Sequence, residues 1–153
     1  MQKNKKAGFT LIEILVVIGI IAILAAIVIV AINPARQFAQ ARNTQRESDV
    51  STILNALGQH MVDNKGVAIS TTNCPGIGTA PDSTTRVIGT SAVDLNCLVP
   101  TYIASAMPMD PASGTAADTG YTITASSTGR YTICAPDHAE AAISGSTNYC
   151  LSR

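Results

Sequence analysis

The 153-residue chain has little of what most catalytic sites are built from. It has no Trp, aromatic residues make up 4% and charged residues 13%. It contains no G-x-S-x-G, P-loop, H-E-x-x-H or G-x-G-x-x-G motif. The two histidines, His60 and His138, stand outside any such motif, and we expect both to be ordinary surface or boundary residues. The sequence therefore predicts a protein that is not an enzyme and has no cofactor.

The chain also has no excess of positive or negative charge, since ten Lys and Arg balance ten Asp and Glu. Beyond the first residues the basic side chains form only one short set, Arg36, Arg42 and Arg46. A nucleic-acid-binding domain normally carries a basic stripe, so nucleic acid is not supported as a partner.

Four acids fall in expected loops, where carboxylate oxygens suit Ca²⁺. No EF-hand spacing surrounds them, so we predict no metal site and keep Ca²⁺ as the open alternative. These acids are Asp110, Asp118, Asp137 and Glu140.

What the chain does have is one long apolar run. Residues 14–32 (ILVVIGIIAILAAIVIVAI) carry no charge, and 19 residues of helix span about 30 Å of hydrocarbon. Lys3, Lys5 and Lys6 precede the run, which keeps that end cytoplasmic by the positive-inside rule. The sequence predicts a single-pass membrane protein with the rest of the chain outside the cytoplasm.

All four cysteines follow the apolar run, on the predicted oxidising side, and an even count there indicates two disulfides. A zinc site is the competing interpretation, but no C-x-x-C pair is present. Four cysteines allow three pairings. We favour the two pairs that close local loops, Cys74–Cys97 and Cys134–Cys150.

Three interpretations of the N-terminal segment are open. A signal peptide has an apolar core of about 7–15 residues followed by a small-residue cleavage site. The apolar run of this chain is longer, and no such cleavage site follows it. A plain signal anchor explains the lysines and the span but leaves Glu13 unexplained, because a carboxylate in lipid is costly. The third comes from residues 8–13, GFTLIE, which resemble the processing signature of type IV prepilins and pseudopilins.

The resemblance implies that residues 1–8 are a cytoplasmic leader. A membrane-embedded prepilin peptidase would cut after Gly8, and Phe9 would become an N-methylated N-terminus. Glu13 would then pair with the new α-amino group of a neighbouring subunit and so set the register of a filament; pairing within one chain is the alternative. The resemblance also implies an inner-membrane assembly platform with a cytoplasmic ATPase, and membrane lipid around the subunit before assembly.

The expected fold is α+β and pilin-like, with a long N-terminal helix on a small antiparallel sheet. We expect a transmembrane or filament-core helix over residues 9–33, its second half over 34–65, and a β-rich head with disulfides over 66–153. Pro34 should kink or melt the helix, and Gly19 is a second weak point. Residues 40–49 (QARNTQRESD) are polar nearly all round, so we expect them to contact neighbouring subunits rather than to be buried in their own domain.

Within the head, residues 84–90, 121–125 and 130–135 have strand composition. The last two should form a hairpin across Ser-Ser-Thr-Gly, and the tail from residue 136 should be irregular. Val50, Ile53, Leu54, Leu57 and Met61 form one apolar helical stripe that should dock on the sheet.

The expected function is that of a structural subunit of an extracellular or cell-surface filament, a type IV pilus or pilus-like fimbrium. The alternatives are a pseudopilin of a type II secretion system, a DNA-uptake pilus subunit and, from another class, a membrane-anchored secreted enzyme or binding domain.

Overall fold

The computed structural model describes residues 8–153, so most of the expected leader, residues 1–7, lies outside the described part of the chain. The chain divides into two compact units, with the boundary between Gln37 and Phe38. The first holds an apolar helix and the residues that follow it up to Gln37, and the second holds residues 38–153.

In the first unit, helix α1 runs from Leu11 to Ala31. Its 21 residues are apolar on every side apart from Glu13, and none of its side chains is buried. It is the one helix among residues 8–153 that is long and apolar enough to cross a membrane. Water is a poor environment for such a surface, so another apolar medium must cover it.

The helical path is interrupted just before Pro34. Helix α1 ends at Ala31, Ile32 and Asn33 are not helical, and helix α2 (Pro34–Asp63) begins at the proline. Proline suits a first helical position because its φ is preset and the missing N–H needs no partner there. The Asn33 Oδ1 atom accepts the Arg36 N–H at 3.3 Å, which caps the new helix. Gly19 lies within α1 without interrupting it.

The second unit combines α2 with a four-stranded antiparallel sheet in the order β1-β2-β3-β4. The strands are β1 (Arg86–Val87), β2 (Thr122–Ala125), β3 (Tyr131–Ala135) and β4 (Tyr149–Ser152). The predicted α+β architecture, an apolar N-terminal helix with a small antiparallel sheet, is confirmed.

Some of the predicted strands are present, and one strand was not predicted. The β2–β3 hairpin is present, with Ile123 opposite Ile133, whereas only Arg86 and Val87 of residues 84–90 form a strand. The prediction of an irregular tail was wrong, because β4 pairs with β3 and places Leu151 opposite Ile133. The YCLS sequence is too short to predict a strand by alternation, and its partner strand provides the hydrogen bonds.

The apolar stripe on α2 packs in the core as predicted. Val50, Ile53 and Leu57 are fully buried together with Ile123 and Ile133 of the sheet. Helix α2 ends at Asp63, two residues before the expected end at residue 65, and Gly66, in the left-handed region at φ +81°, donates its N–H to the Met61 carbonyl at 2.8 Å.

Two disulfides close the loops of this unit. Cys74 bonds to Cys97 with a Cα–Cα distance of 5.4 Å. Cys134 of β3 bonds to Cys150 of β4 with a Cα–Cα distance of 4.1 Å, and these two residues face each other across the strands. The pairs are those favoured from the sequence.

Candidate functional site

The bond expected to be cut lies outside any helix. Gly8, Phe9 and Thr10 precede α1 and are exposed, with the Phe9 side chain 80% accessible. Thr10 is extended, at φ −84° and ψ 152°. A protease binds its substrate as extended chain, and the backbone between Gly8 and Phe9 is open to one.

Glu13 takes part in the N-terminal cap of α1. The Thr10 Oγ1 atom accepts the Glu13 N–H at 3.3 Å, and the Glu13 carboxylate accepts the Thr10 N–H at 3.5 Å. This reciprocal arrangement satisfies two otherwise unpaired donors at the start of the helix. The carboxylate also lies in the first turn, where the helix dipole favours negative charge. Both hydrogen bonds are exposed and long, so they hold Glu13 weakly.

A second polar cluster lies on α2, within residues 40–49. The expectation that this stretch avoids burial in its own domain was wrong, because Asn43, Arg46 and Asp49 are all buried in the second unit. Their spacing of three places them on one helical face. Polar residues can be buried there because backbone or side-chain groups from distant parts of the chain hydrogen-bond to each of them.

Arg46 is the centre of this cluster and is 1% exposed. Its Nε and Nη2 atoms donate to Asp110 at 2.5 and 3.1 Å, a bidentate pair. Its Nη1 atom donates to Asn43 at 2.8 Å and to Glu140 at 2.7 Å. Arg42, one turn earlier, donates twice more to Glu140, at 2.6 and 2.8 Å. The loops that contain Asp110 and Glu140 are thereby held on one face of α2. We call Arg42, Asn43, Arg46, Asp110 and Glu140 the arginine cluster.

The arginine cluster shifts the pKa values of its acids. Burial favours the neutral form of Asp110, but hydrogen bonds from Arg46 and from the N–H groups of Ala112 and Ser113 outweigh it and lower its pKa to about 2. Hydrogen bonds from Arg42 and Arg46 likewise lower the pKa of Glu140 to about 2. Both carboxylates are therefore ionised at neutral pH.

Asp49 continues the buried polar face toward the sheet. It accepts the Tyr121 hydroxyl at 2.7 Å and the Gln45 amide at 2.7 Å. Burial and the bond to Asp49 raise the pKa of Tyr121 well above its usual range, so the phenol remains a donor. This contact anchors the chain where it enters β2.

Gly120 allows the Asp110 loop to approach. Its φ is +80°, and a Cβ at that position would lie 2.6 Å from the Cβ of Asp110. A larger residue would therefore push Asp110 away from Arg46. The ion pair between Asp110 and Arg46 thus depends on glycine at position 120.

The two histidines have structural contacts. His60 is 4% exposed, which corrects the expectation of a surface or boundary residue, and its Nε2 atom lies 3.1 Å from the Asn73 carbonyl. Its position three residues after Leu57, on the apolar stripe, was the sequence signal for burial. His138 is partly exposed, with its ring nitrogens near Glu47 at 3.1 Å and the Thr147 carbonyl at 2.9 Å.

The four acids considered for Ca²⁺ are not assembled as ligands. Asp110 and Glu140 meet only through Arg46. Asp118 accepts the Gly120 N–H, and Asp137 accepts the Ser113 hydroxyl. Within residues 8–153 no group of three or more His, Cys, Asp or Glu is arranged to hold a metal ion.

Known proteins resemble part of this chain. A family model described as the prokaryotic N-terminal methylation motif matches residues 3–29. Type II secretion system core protein G of Pseudomonas aeruginosa is 41% identical over 64 residues, which are 42% of this chain and 44% of that protein. The protein of the same name from Aeromonas hydrophila is 38% identical over 64 residues, 42% and 43% of the two chains.

The chain thus spans less than half the length of the curated relatives it matches. No solved structure matches it. The methylation motif covers the lysines, the GFTLIE sequence and most of α1, the same residues on which the resemblance rests. Residues 3–29 therefore carry a prepilin-type N-terminal methylation motif.

Proposed function

We propose that this protein is the structural subunit of a type IV pilus or pilus-like filament, polymerised through α1. The observation that carries the proposal is the 21-residue helix α1, which is apolar on all sides apart from Glu13 and has no buried side chain. The methylation motif covers most of this helix. Such a helix needs lipid before assembly and the helices of other subunits afterwards. The second unit, with its own core and disulfides, would form the outer shell of the filament, outside the cytoplasm.

Processing would create the assembly-competent N-terminus. A prepilin peptidase would cut after Gly8 and Phe9 would be N-methylated, which the exposed, non-helical position of these residues supports. The cut places an α-amino group four residues before Glu13. Two opposite charges in lipid are each costly alone, and pairing offsets much of that cost.

Glu13 would then set the register between subunits. Its weak hydrogen bond to Thr10, 3.5 Å long and exposed, is readily exchanged for a charged amine. Only one axial stagger of packed helices brings a neighbour's amine to Glu13, so the pair acts as a register device.

The relatives support a second form of this function. Both are named type II secretion system core protein G, which supports a pseudopilin in a short secretion filament as the second candidate beside a true pilus. A membrane platform and a cytoplasmic ATPase would drive either assembly. The second unit would serve as the filament's outer structure and not as an enzyme.

The decisive experiment is intact-mass and N-terminal analysis of the native protein, combined with electron microscopy of filaments. We expect a chain that begins at N-methyl-Phe9 and is found in polymers. Gly8→Val should leave the precursor uncut and unpolymerised, because the side chain obstructs the peptidase cleft. Gly19→Ala is the matched control, since a methyl group there meets nothing within 4 Å, and it should be processed normally. A native chain that keeps its first eight residues would refute the proposal.

A further inference from the structure

The second unit carries an open apolar groove at the end of α2. The groove has a volume of about 560 Å³ and lies between the last turns of α2 and the β2–β3 turn. We call it the distal groove and define it by Gly58, Met61, Val62, Arg130 and Arg153. Val62 is 76% exposed, which is unusual for a valine beside a core.

The rim of the distal groove is positively charged. Arg130 and Arg153 are both exposed, and neither has an acidic partner in the part of the chain that the structure describes. Lys65 is also exposed at this end of α2 but does not line the groove. An apolar floor with a basic rim suits a small apolar segment that carries an acid.

The other end of the same unit offers a matching surface. Residues 136–142 (PDHAEAA) follow β3, and Ala139, Ala141 and Ala142 are exposed. Asp137 is also exposed, and its carboxylate is held by the Ser113 hydroxyl at 2.6 Å rather than by a cation. We call this segment the acidic corner.

The two surfaces lie too far apart to meet within one chain. The backbone carbonyl of His138, beside Asp137, accepts the Asn43 amide at 3.0 Å, which fixes the acidic corner near the first third of α2. Gly58 lies about 22 Å further along the helix axis. Complementary surfaces at opposite ends of one body make a heterologous, head-to-tail contact, which produces an open filament rather than a closed dimer.

We propose that the distal groove of one copy binds the acidic corner of a second copy, with Arg130 facing Asp137 and the exposed alanines against Met61 and Val62. This inference rests on the proposed filament function and names a contact between its outer units. The arginine cluster gives the acidic corner a fixed shape, because Arg42 and Arg46 hold Glu140 within it. A pre-ordered segment loses little conformational entropy on binding.

A photo-crosslinking residue in place of Val62, in the full-length chain in cells, tests the contact directly. We expect covalent multimers whose crosslinked peptide lies within residues 136–142 of another copy. A crosslink to a different part of the chain, or to a different protein, would overturn the proposal. If wild-type protein is neither processed nor polymerised, the filament function itself fails, and that outcome is separate.

Charge exchange provides the second test. Arg130→Glu and Asp137→Arg should each lower polymer yield about tenfold, because like charges would face each other, and the double variant should recover it. Lys65→Glu is the matched control: it reverses a charge at the same end without lining the groove and should leave yield unchanged. Mapping of both disulfides checks that each variant is folded. Normal polymers from both single variants, or no recovery in the folded double variant, would disprove the contact.

Discussion

Arg46 on α2 and Asp110 in a loop 64 residues later form a buried, bidentate ion pair, with Nε and Nη2 of the guanidinium on the two carboxylate oxygens. The same guanidinium holds Glu140, so one side chain fixes two distant loops on one helical face. The pair helps to bury one face of the polar stretch of α2, with Asn43, Arg46 and Asp49, in the second unit. We propose the distal groove and the acidic corner as the surfaces that contact other copies.

Loss of Arg46 should destabilise the second unit strongly. Arg46→Met leaves Asp110 buried without its counter-charge, which costs about 3–5 kcal/mol of unfolding free energy. Pulse proteolysis of the full-length protein in detergent and urea measures this. Arg42→Met is the control, because Arg42 is partly exposed and its loss should cost about 1 kcal/mol or less. Equal effects of the two substitutions would contradict the central place of Arg46.

The stability of the second unit should fall in acid. Asp110 and Glu140 have pKa values of about 2 in the folded protein, against 3.8 and 4.5 as ordinary values. A depressed carboxylate pKa stabilises the folded state above the ordinary value, and this contribution disappears as pH falls through the folded value. Stability should therefore decline from about pH 4.5 toward pH 2, and Asp110 alone accounts for about 2 kcal/mol.

Unfolding free energies measured by the same proteolysis at a series of pH values, with an acid-active protease, check this slope. In Arg46→Met the slope between pH 4.5 and 2 should flatten, because the main donor to Asp110 is gone. An unchanged slope in that variant would show that other groups cause the acid sensitivity.

The Cys134–Cys150 disulfide should be needed for β4. It closes a loop with a sequence separation of 16 residues, and cross-links of that size stabilise by about 3 kcal/mol in the chain-entropy model. Replacing both cysteines by Ser should raise hydrogen exchange in β4 while α1 keeps its protection. Replacing Cys74 and Cys97 is the matched control, which should loosen residues 66–97 and leave β4 protected. Faster exchange in β4 only in the control would reverse this assignment.

Glu13 should matter for assembly more than for folding or processing. Glu13→Gln keeps an acceptor for the Thr10 N–H but removes the charge that would pair with a neighbour's α-amine. We expect membrane insertion and cleavage after Gly8 as in wild type, with polymer yield reduced about tenfold or more. Immunoblotting of sheared filaments and membrane fractions measures both. Thr10→Ser preserves the cap and should assemble normally; wild-type yield from Glu13→Gln would remove the register role.

The sequence by itself determined the features that depend on composition and local pattern. An uncharged run of 19 residues is a membrane-length helix in any fold, and the GFTLIE sequence marks its start. The stripe from Val50 to Leu57 indicated the buried face of α2, and the turn after Ala125 indicated the hairpin. The two disulfide pairs were predicted from local loop closure.

Only the tertiary structure decided what depends on partners far away in the chain. Residues 40–49 looked like an exposed helix because polarity predicts exposure, and no local signal reveals that Asp110, Tyr121 and Glu140 come to meet them. Strand β4 exists because β3 provides its hydrogen bonds and Cys134 its covalent link. A charged residue can be buried only when the fold brings a partner of opposite charge to it. Its burial therefore cannot be predicted from the local sequence and is seen only in the tertiary structure.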